Sequence, residues 1–300
     1  LAKTYQGNQT LNHIGVYSQS GTTKFLSCGL ASTVLSHVGG STIARKDLFL
    51  TGIKDVHFSS ISNGTLLAGN SIMRRMNANQ QWKTIKPDAA SSAVLYGKYC
   101  KVWTISEIKS LAVGVYAGAM IQNDTASISA SLPTNVLDVV ANQNMYYFAK
   151  SDEVIGMTIS SSGSFGTPTT YNYTGQQINS IDVLDNNDFA VAGENGFFAY
   201  QGIGSGSVFT ASIQNADINV LKFVDHVYAV AAGDNGAYYK FNATGMTPYG
   251  YATAGTWAEI QDVYASGNDP YLVDNATDID IYALDFASYD QAVFGGKYLS

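Results

Sequence analysis

The chain has 300 residues, of which 13% are charged, and its net charge at pH 7 is −7. It contains no cluster of basic residues that would neutralise a phosphate backbone, so nucleic acid and anionic membranes are not expected partners. No apolar run reaches the roughly 20 residues that a membrane-spanning helix needs, so no transmembrane segment is predicted. With so little charge, the surface should consist of uncharged polar residues, or be covered by glycan or a partner.

Short apolar runs separated by turn residues predict β-strands along the first half of the chain. They fall into four successive groups, and three or four strands are recognisable in each. The groups are His13–Ser18, Lys24–Gly29 and Thr33–Val38; Lys54–Ser59, Thr65–Gly69, Ile72–Met76 and Trp82–Ile85; Val94–Val102, Ser110–Gly114 and Gly118–Ile121; and Val136–Val140, Tyr146–Lys150 and Val154–Ile159.

The second half of the chain nearly repeats itself after about forty residues, first from Ile178 and then from Ile218. Each copy has an apolar strand, a second strand of small residues, and a Glu/Asp-Asn-Gly turn whose Asn and Gly tolerate positive φ. A third copy, shortened, follows at the end of the chain. The predicted strands are Ile178–Leu184, Phe189–Gly193, Gly196–Tyr200 and Val208–Ser212; then Ile218–Leu221, Ala229–Gly233 and a third strand ending near Phe241; then Ile281–Phe286 and Ala292–Gly296.

Short antiparallel strands at this period resemble the repeats of the β-propeller superfamily. The resemblance covers essentially the whole chain and implies one all-β domain over residues 1–300. It implies seven blades of four antiparallel strands, with six or eight blades as alternatives. Because no signature of a functional subfamily is present, the resemblance predicts the fold and no activity.

The last group of strands lacks its outer members, while Leu1–Gln6 at the opposite end of the chain has the pattern of a strand. We expect this N-terminal strand to close the ring, which removes open sheet edges. The alternative is that it completes a blade of a neighbouring subunit and so polymerises the protein. The start at Leu1, with no Met and no leader, would fit a mature secreted form.

An aromatic-rich insertion is predicted at about 242–280, because the other connections from a third strand to the next first strand are shorter. Exposed Tyr and Trp side chains stack on sugars and anchor protein interfaces. These side chains are the candidate contact surface, although they would alternatively cap the fold's own apolar edge. They are Tyr249, Tyr251, Trp257, Tyr264 and Tyr271.

The sequence gives little evidence of a catalytic site. The four histidines lie apart, at His13, His37, His57 and His226, and no metal site or cofactor is predicted. Asp138, Asp182 and Asp285 lie on predicted first strands, where acids from different blades can converge in a channel, as a glycosidase requires. The alternative is that these acids fix turns or are solvated, and we expect the protein not to be an enzyme. Cys28 and Cys100 fall in different blades and are expected to be thiols.

Six Asn-x-Thr sequons are candidates for glycosylation, which requires a source with the necessary machinery. They are Asn8, Asn63, Asn123, Asn172, Asn242 and Asn275. Together these features predict a non-catalytic extracellular or cell-surface propeller that is a structural or adhesive module of a surface layer or filament. Its expected partners are copies of itself, other surface proteins or glycans. The alternative is a glycan-binding or glycan-cleaving propeller.

Overall fold

The computed structural model describes residues 11–19, 22–29, 33–38, 43–47, 53–60, 63–68, 73–76, 82–87, 99–106, 109–123, 125–203, 208–212, 217–224, 228–234, 238–243, 257–262, 279–288 and 291–298. The chain divides into two compact units. The N-terminal unit is Asn12–Ile178, and the C-terminal unit is Asn179–Ser300 together with Leu1–Leu11. No helix among the described residues is long and apolar enough to cross a membrane.

The N-terminal unit is built from sheets in which strands consecutive in sequence lie side by side. In the third sheet, β9 adds to the outer edge by pairing parallel with β13. The sheets are β1 (Leu11–Gln19), β2 (Thr22–Gly29), β3 (Thr33–Val38) and β4 (Ile43–Asp47); β5 (Ile53–Ser60), β6 (Asn63–Ala68), β7 (Met73–Met76) and β8 (Trp82–Thr84); β9 (Lys86–Pro87), β10 (Tyr99–Thr104), β11 (Lys109–Gly114), β12 (Gly118–Gln122) and β13 (Thr125–Ser129); and β14 (Asp138–Asn142), β15 (Met145–Ala149), β16 (Glu153–Thr158) and β17 (Thr169–Asn172).

The C-terminal unit repeats this arrangement, and its last sheet has two strands within the described residues. Its first strand begins at the boundary between the two units. The sheets are β18 (Ile178–Val183), β19 (Phe189–Gly193), β20 (Phe197–Gln201) and β21 (Val208–Ser212); β22 (Ile218–Phe223), β23 (Tyr228–Gly233), β24 (Tyr238–Ala243) and β25 (Trp257–Asp262); and β26 (Ile279–Ser288) and β27 (Gln291–Tyr298).

Among the strands whose burial is described, the middle strands β11, β19 and β20 are buried along their whole length, which fits their largely apolar sequences. The outer strands β13 and β17 are largely exposed. Within the N-terminal unit, one apolar core lies between the third and fourth sheets. Its buried residues are Leu111, Val113, Leu132, Val136, Val139, Tyr146, Phe148, Met157 and Ile159.

The predicted turn of the repeat is confirmed in its first copy. Asn195 and Gly196 have φ of 53° and 69° between β19 and β20, as the predicted tight turn requires. At the end of β23, a Cβ on Gly233 would lie 1.8 Å from the carbonyl oxygen of Asp217, so glycine is needed there for close backbone packing.

The range 242–280, which the sequence predicts as an aromatic-rich insertion, contains the strand β25. β25 pairs antiparallel with β24, and Trp257 lies opposite Ala243. This strand is the fourth of its sheet, and the pattern of the repeat did not reveal it because fourth strands are the least apolar. The remainder of the range, 244–256 and 263–278, lies outside the described residues.

Candidate functional site

In the N-terminal unit, hydrogen bonds from backbone to side chain join β5, the first strand of the second sheet, to β10 of the third sheet. The backbone N–H of Val102 donates to Oδ2 of Asp55 over 2.7 Å. Two residues further on, the N–H of Thr104 donates to Nδ1 of His57 over 2.9 Å. Because residues two apart on a strand share a face, Asp55 and His57 act as a pair of acceptors for the next sheet.

Buried hydroxyls extend this connection towards the second strands. The hydroxyl of Thr104 donates to the carbonyl oxygen of His57 over 2.9 Å, and it lies 3.0 Å from the hydroxyl of Thr65. The Thr65 and Ser110 hydroxyls are 2.6 Å apart, and both residues are fully buried. The ring of His57 stacks on Trp103 with centroids 3.7 Å apart. Since Nδ1 of His57 accepts from a backbone N–H, it does not serve there as a base for a serine.

The C-terminal unit repeats the same arrangement between β18 and β22. The N–H of Leu221 donates to Oγ of Ser180 over 3.1 Å, and the N–H of Phe223 donates to Oδ2 of Asp182 over 2.7 Å. The Lys222 ammonium lies 3.4 Å from Oδ1 of Asp182. Two acceptors, two residues apart on one first strand, therefore receive two donors from the next first strand in both units.

Burial raises the pKa of the Asp182 carboxyl, although the Lys222 charge and the N–H groups of Phe223 and Val183 oppose the shift. The buried Asp138 carboxylate is also engaged, 3.1 Å from the Lys101 ammonium, and it accepts from the N–H of Val139. Two of the three acids considered for catalysis thus make structural contacts. The third acid, Asp285, lies in β26 opposite Val293 of β27, and its side chain lies outside the described part of the structure.

A further buried carboxylate, Asp188, was missed because it lies in a turn without a counterpart in the next repeat. Its Oδ2 accepts from the Tyr200 hydroxyl over 2.5 Å and from the Asn186 side chain over 2.8 Å, and its Oδ1 accepts from the N–H of Ile203 over 2.7 Å. Burial, reinforced by the hydrogen bond to Asp188 and its charge, raises the pKa of Tyr200. This cluster ties the β18–β19 turn to the end of β20.

The aromatic contact surface stays a prediction. Trp257 is the first residue of β25, and its side chain lies outside the described residues. Tyr249, Tyr251, Tyr264 and Tyr271 also lie outside them. Among the described residues, the exposed large apolar side chains are instead Val115, Tyr116 and Ile128.

The described residues contain no group of three or more histidine, cysteine or acidic side chains that would hold a metal. His13 and His37 lie in β1 and β3, in a different sheet from His57. His226 lies outside the described ranges.

The sequons differ in accessibility. Asn63 is only 7% exposed at the start of β6. Asn123 is exposed in the turn between β12 and β13, with φ of 53°, and Asn172 is exposed at the end of β17. Asn242 lies in β24, while Asn8 and Asn275 are outside the described residues.

No family model and no curated protein matches the chain. The solved structures that resemble it over nearly its whole length include the following three. YCF48 bound to D1 peptide has 15% identity and a TM-score of 0.67, covering 97% of this chain and 92% of that one. YCF48 from Cyanidioschyzon merolae has 15% identity and a TM-score of 0.66, covering 98% and 95%. The WD40 β-propeller domain of Doa1 has 10% identity and a TM-score of 0.68, covering 99% and 92%.

These neighbours are β-propeller proteins. Their identities are too low to transfer an activity, but the likeness extends over almost every residue of the chain. The predicted resemblance to β-propellers is therefore confirmed at the level of the fold.

Proposed function

We propose that the protein is a non-catalytic extracellular β-propeller that acts as a structural or adhesive module of a surface layer or filament. The observation that carries the proposal is that acids on the first strands make structural contacts with neighbouring sheets. Asp55 and Asp182 accept backbone N–H groups of a neighbouring sheet, and Asp138 pairs with Lys101. Carboxylates committed in this way favour a rigid scaffold over a hydrolytic centre, which needs one carboxyl group to protonate the leaving group.

Proteins are the partners that this proposal favours, including further copies of the same chain. One structural neighbour is a YCF48 propeller bound to a D1 peptide, so a similar fold does bind a polypeptide. The chain carries only 16 Lys and Arg residues, which disfavours anionic polymers as partners. A surface with little charge suits contacts made through hydrogen bonds and aromatic side chains.

We propose further that the ring has seven blades and that Leu1–Gln6 provides an outer strand for the last one. Two considerations support this. Within the described residues the final sheet consists of β26 and β27, whereas each preceding sheet has at least four strands. An unpaired sheet edge is a site for strand addition, either by the same chain or by a neighbouring copy.

Sedimentation velocity over a range of protein concentrations tests the proposal. The full chain is expected to form large species, and a variant lacking Leu1–Gln6 is expected to lose them if this strand is exchanged between copies. D152N, which changes an exposed acid, is the matched control and should assemble like the wild type. A full chain that stays monomeric at every concentration, alone and with other surface proteins, would overturn the proposal.

A further inference from the structure

The structure describes the side chains of three sequon asparagines. They differ in solvent exposure, which separates expected glycosylation sites from an unmodified one. We infer that Asn123 and Asn172 are sites of N-linked glycosylation and that Asn63 is not. The inference goes beyond adhesion, and it rests on the proposed extracellular location because the modification occurs on the secretory route.

Asn123 and Asn172 are both exposed to solvent. Asn123 is in the two-residue turn of the β12–β13 hairpin, where Gln122 pairs with Thr125. Its φ of 53° is one that asparagine tolerates better than most residues, and it places the residue at the tip of the hairpin. Asn172 ends β17, the outermost strand of its sheet, and pairs with Glu153 on its inner side. Both residues are therefore exposed, as the attachment of a bulky surface glycan requires.

The third residue of each sequon supports the same division, because the motif requires a hydroxyl there. Thr125 and Thr174, in the sequons of Asn123 and Asn172, are exposed. Thr65, in the sequon of Asn63, is 0% exposed, and its hydroxyl lies 2.6 Å from that of Ser110.

Asn63 itself has no space for a sugar in the folded protein. It is 7% exposed at the start of β6 and pairs with Ser60 across a tight hairpin. A chain glycosylated at Asn63 would have to open this hairpin, so secreted, folded material should carry none at that site.

The chemistry needs one co-reactant, an oligosaccharide linked to a lipid pyrophosphate. The amide nitrogen Nδ2 forms a bond to the anomeric carbon of the first sugar, and the bond from that carbon to the pyrophosphate oxygen breaks. The lipid pyrophosphate is the leaving group, and the amide loses one proton to a base of the transferase. The product suits this protein, because neutral hydrophilic glycans would solubilise a surface with few charges.

The test is site mapping on the full chain secreted from a eukaryotic cell line. Peptide N-glycosidase treatment in heavy-oxygen water converts each occupied asparagine to a labelled aspartate, which mass spectrometry of peptides then locates. We expect label at Asn123 and Asn172 and none at Asn63. Label at Asn63, or its absence at Asn123 or Asn172, would overturn the inference.

Variants at the third position confirm the assignment without changing the asparagines. T125A and T174A should each remove one glycan from the intact mass, and T125S and T174S should retain it. Loss of glycan in the serine variants, or retention in the alanine variants, would contradict the assignment. Because the host supplies the secretory route, failure of the proposed adhesive function would leave these outcomes unchanged.

Discussion

Asp182 is a largely buried carboxylate that is bound by a neighbouring strand. Its oxygens receive the N–H of Phe223 and lie near the Lys222 ammonium, yet burial still raises its pKa. The desolvation of the charged form therefore outweighs the favourable contacts. At neutral pH such a group weakens the fold slightly while it fixes the register between two strands.

The raised pKa of Asp182 predicts a dependence of stability on pH. The folded state binds the proton more tightly than the unfolded chain, whose aspartates titrate near about 3.9. The contribution of Asp182 to stability is thus fully present below that value and is lost as pH rises through the folded pKa. The free energy of unfolding, measured with urea, should therefore change differently with pH in the wild type and in D182N between the unfolded and the folded pKa of Asp182. D152N, an exposed control, should follow the wild type, and parallel slopes for wild type and D182N would contradict the assignment.

The contacts of His57 predict that two substitutions differ in stability. Its Nδ1 accepts the Thr104 N–H, so H57F leaves that buried donor without a partner and should cost about 1–3 kcal/mol of unfolding free energy. H57N offers a side-chain oxygen near the position of Nδ1 and should recover part of the loss. Thermal unfolding followed by circular dichroism compares the two variants. Equal stability of H57F and H57N would show that stacking on Trp103 contributes as much as the hydrogen bond, and would contradict the prediction.

At the scale of the element, Asp188 fixes the β18–β19 turn to the end of β20. D188A would leave the Tyr200 hydroxyl and the Ile203 N–H without their acceptor, and we expect a loss of about 2–4 kcal/mol. Y200F removes one donor only and should cost about 1 kcal/mol. The control Y116F changes a tyrosine that is 65% exposed and should have no measurable effect. Chemical denaturation measures all three, and a D188A variant as stable as wild type would refute this role.

The end of β23 gives a second prediction at this scale. G233A places a Cβ 1.8 Å from the Asp217 carbonyl oxygen, so the two strands must separate, at a cost of about 1–3 kcal/mol or more. G175A is the comparison, because its Cβ meets nothing within 4 Å although φ is +81°. Thermal unfolding should find G233A the less stable of the two. The reverse order would show that backbone strain matters more than the contact.

The elements differ in how far the sequence predicts them. The repeat predicts β19 with the observed bounds, because small and apolar residues recur at the same spacing in the next copy. β21 is also predicted with the observed bounds, from its own short apolar run. The repeat misses β17 and β25, since outer strands face solvent on one side and tolerate polar residues. Asp55 was missed, whereas the other acids on first strands, Asp138, Asp182 and Asp285, were recognised from their positions. Their partners were not, because the backbone donor of Phe223 lies about forty residues beyond Asp182 and any sequence can supply it.

For the whole molecule, the low charge predicts how assembly responds to salt. Only 13% of the residues are charged, so contacts between copies should depend little on electrostatic attraction. Assemblies formed at low ionic strength are expected to persist at about 1 M salt, where the Debye length is about 3 Å. Sedimentation at both salt concentrations checks this. Dissociation at high salt would indicate an interface of charged groups instead.

The central claim is that this propeller builds a structure and does not transform a substrate. Negative-stain electron microscopy of the native material tests it most directly. We expect filaments or layers in which propeller-sized units repeat at a regular spacing. Fields of separate single particles at every protein concentration, without attachment to other surface components, would contradict the account.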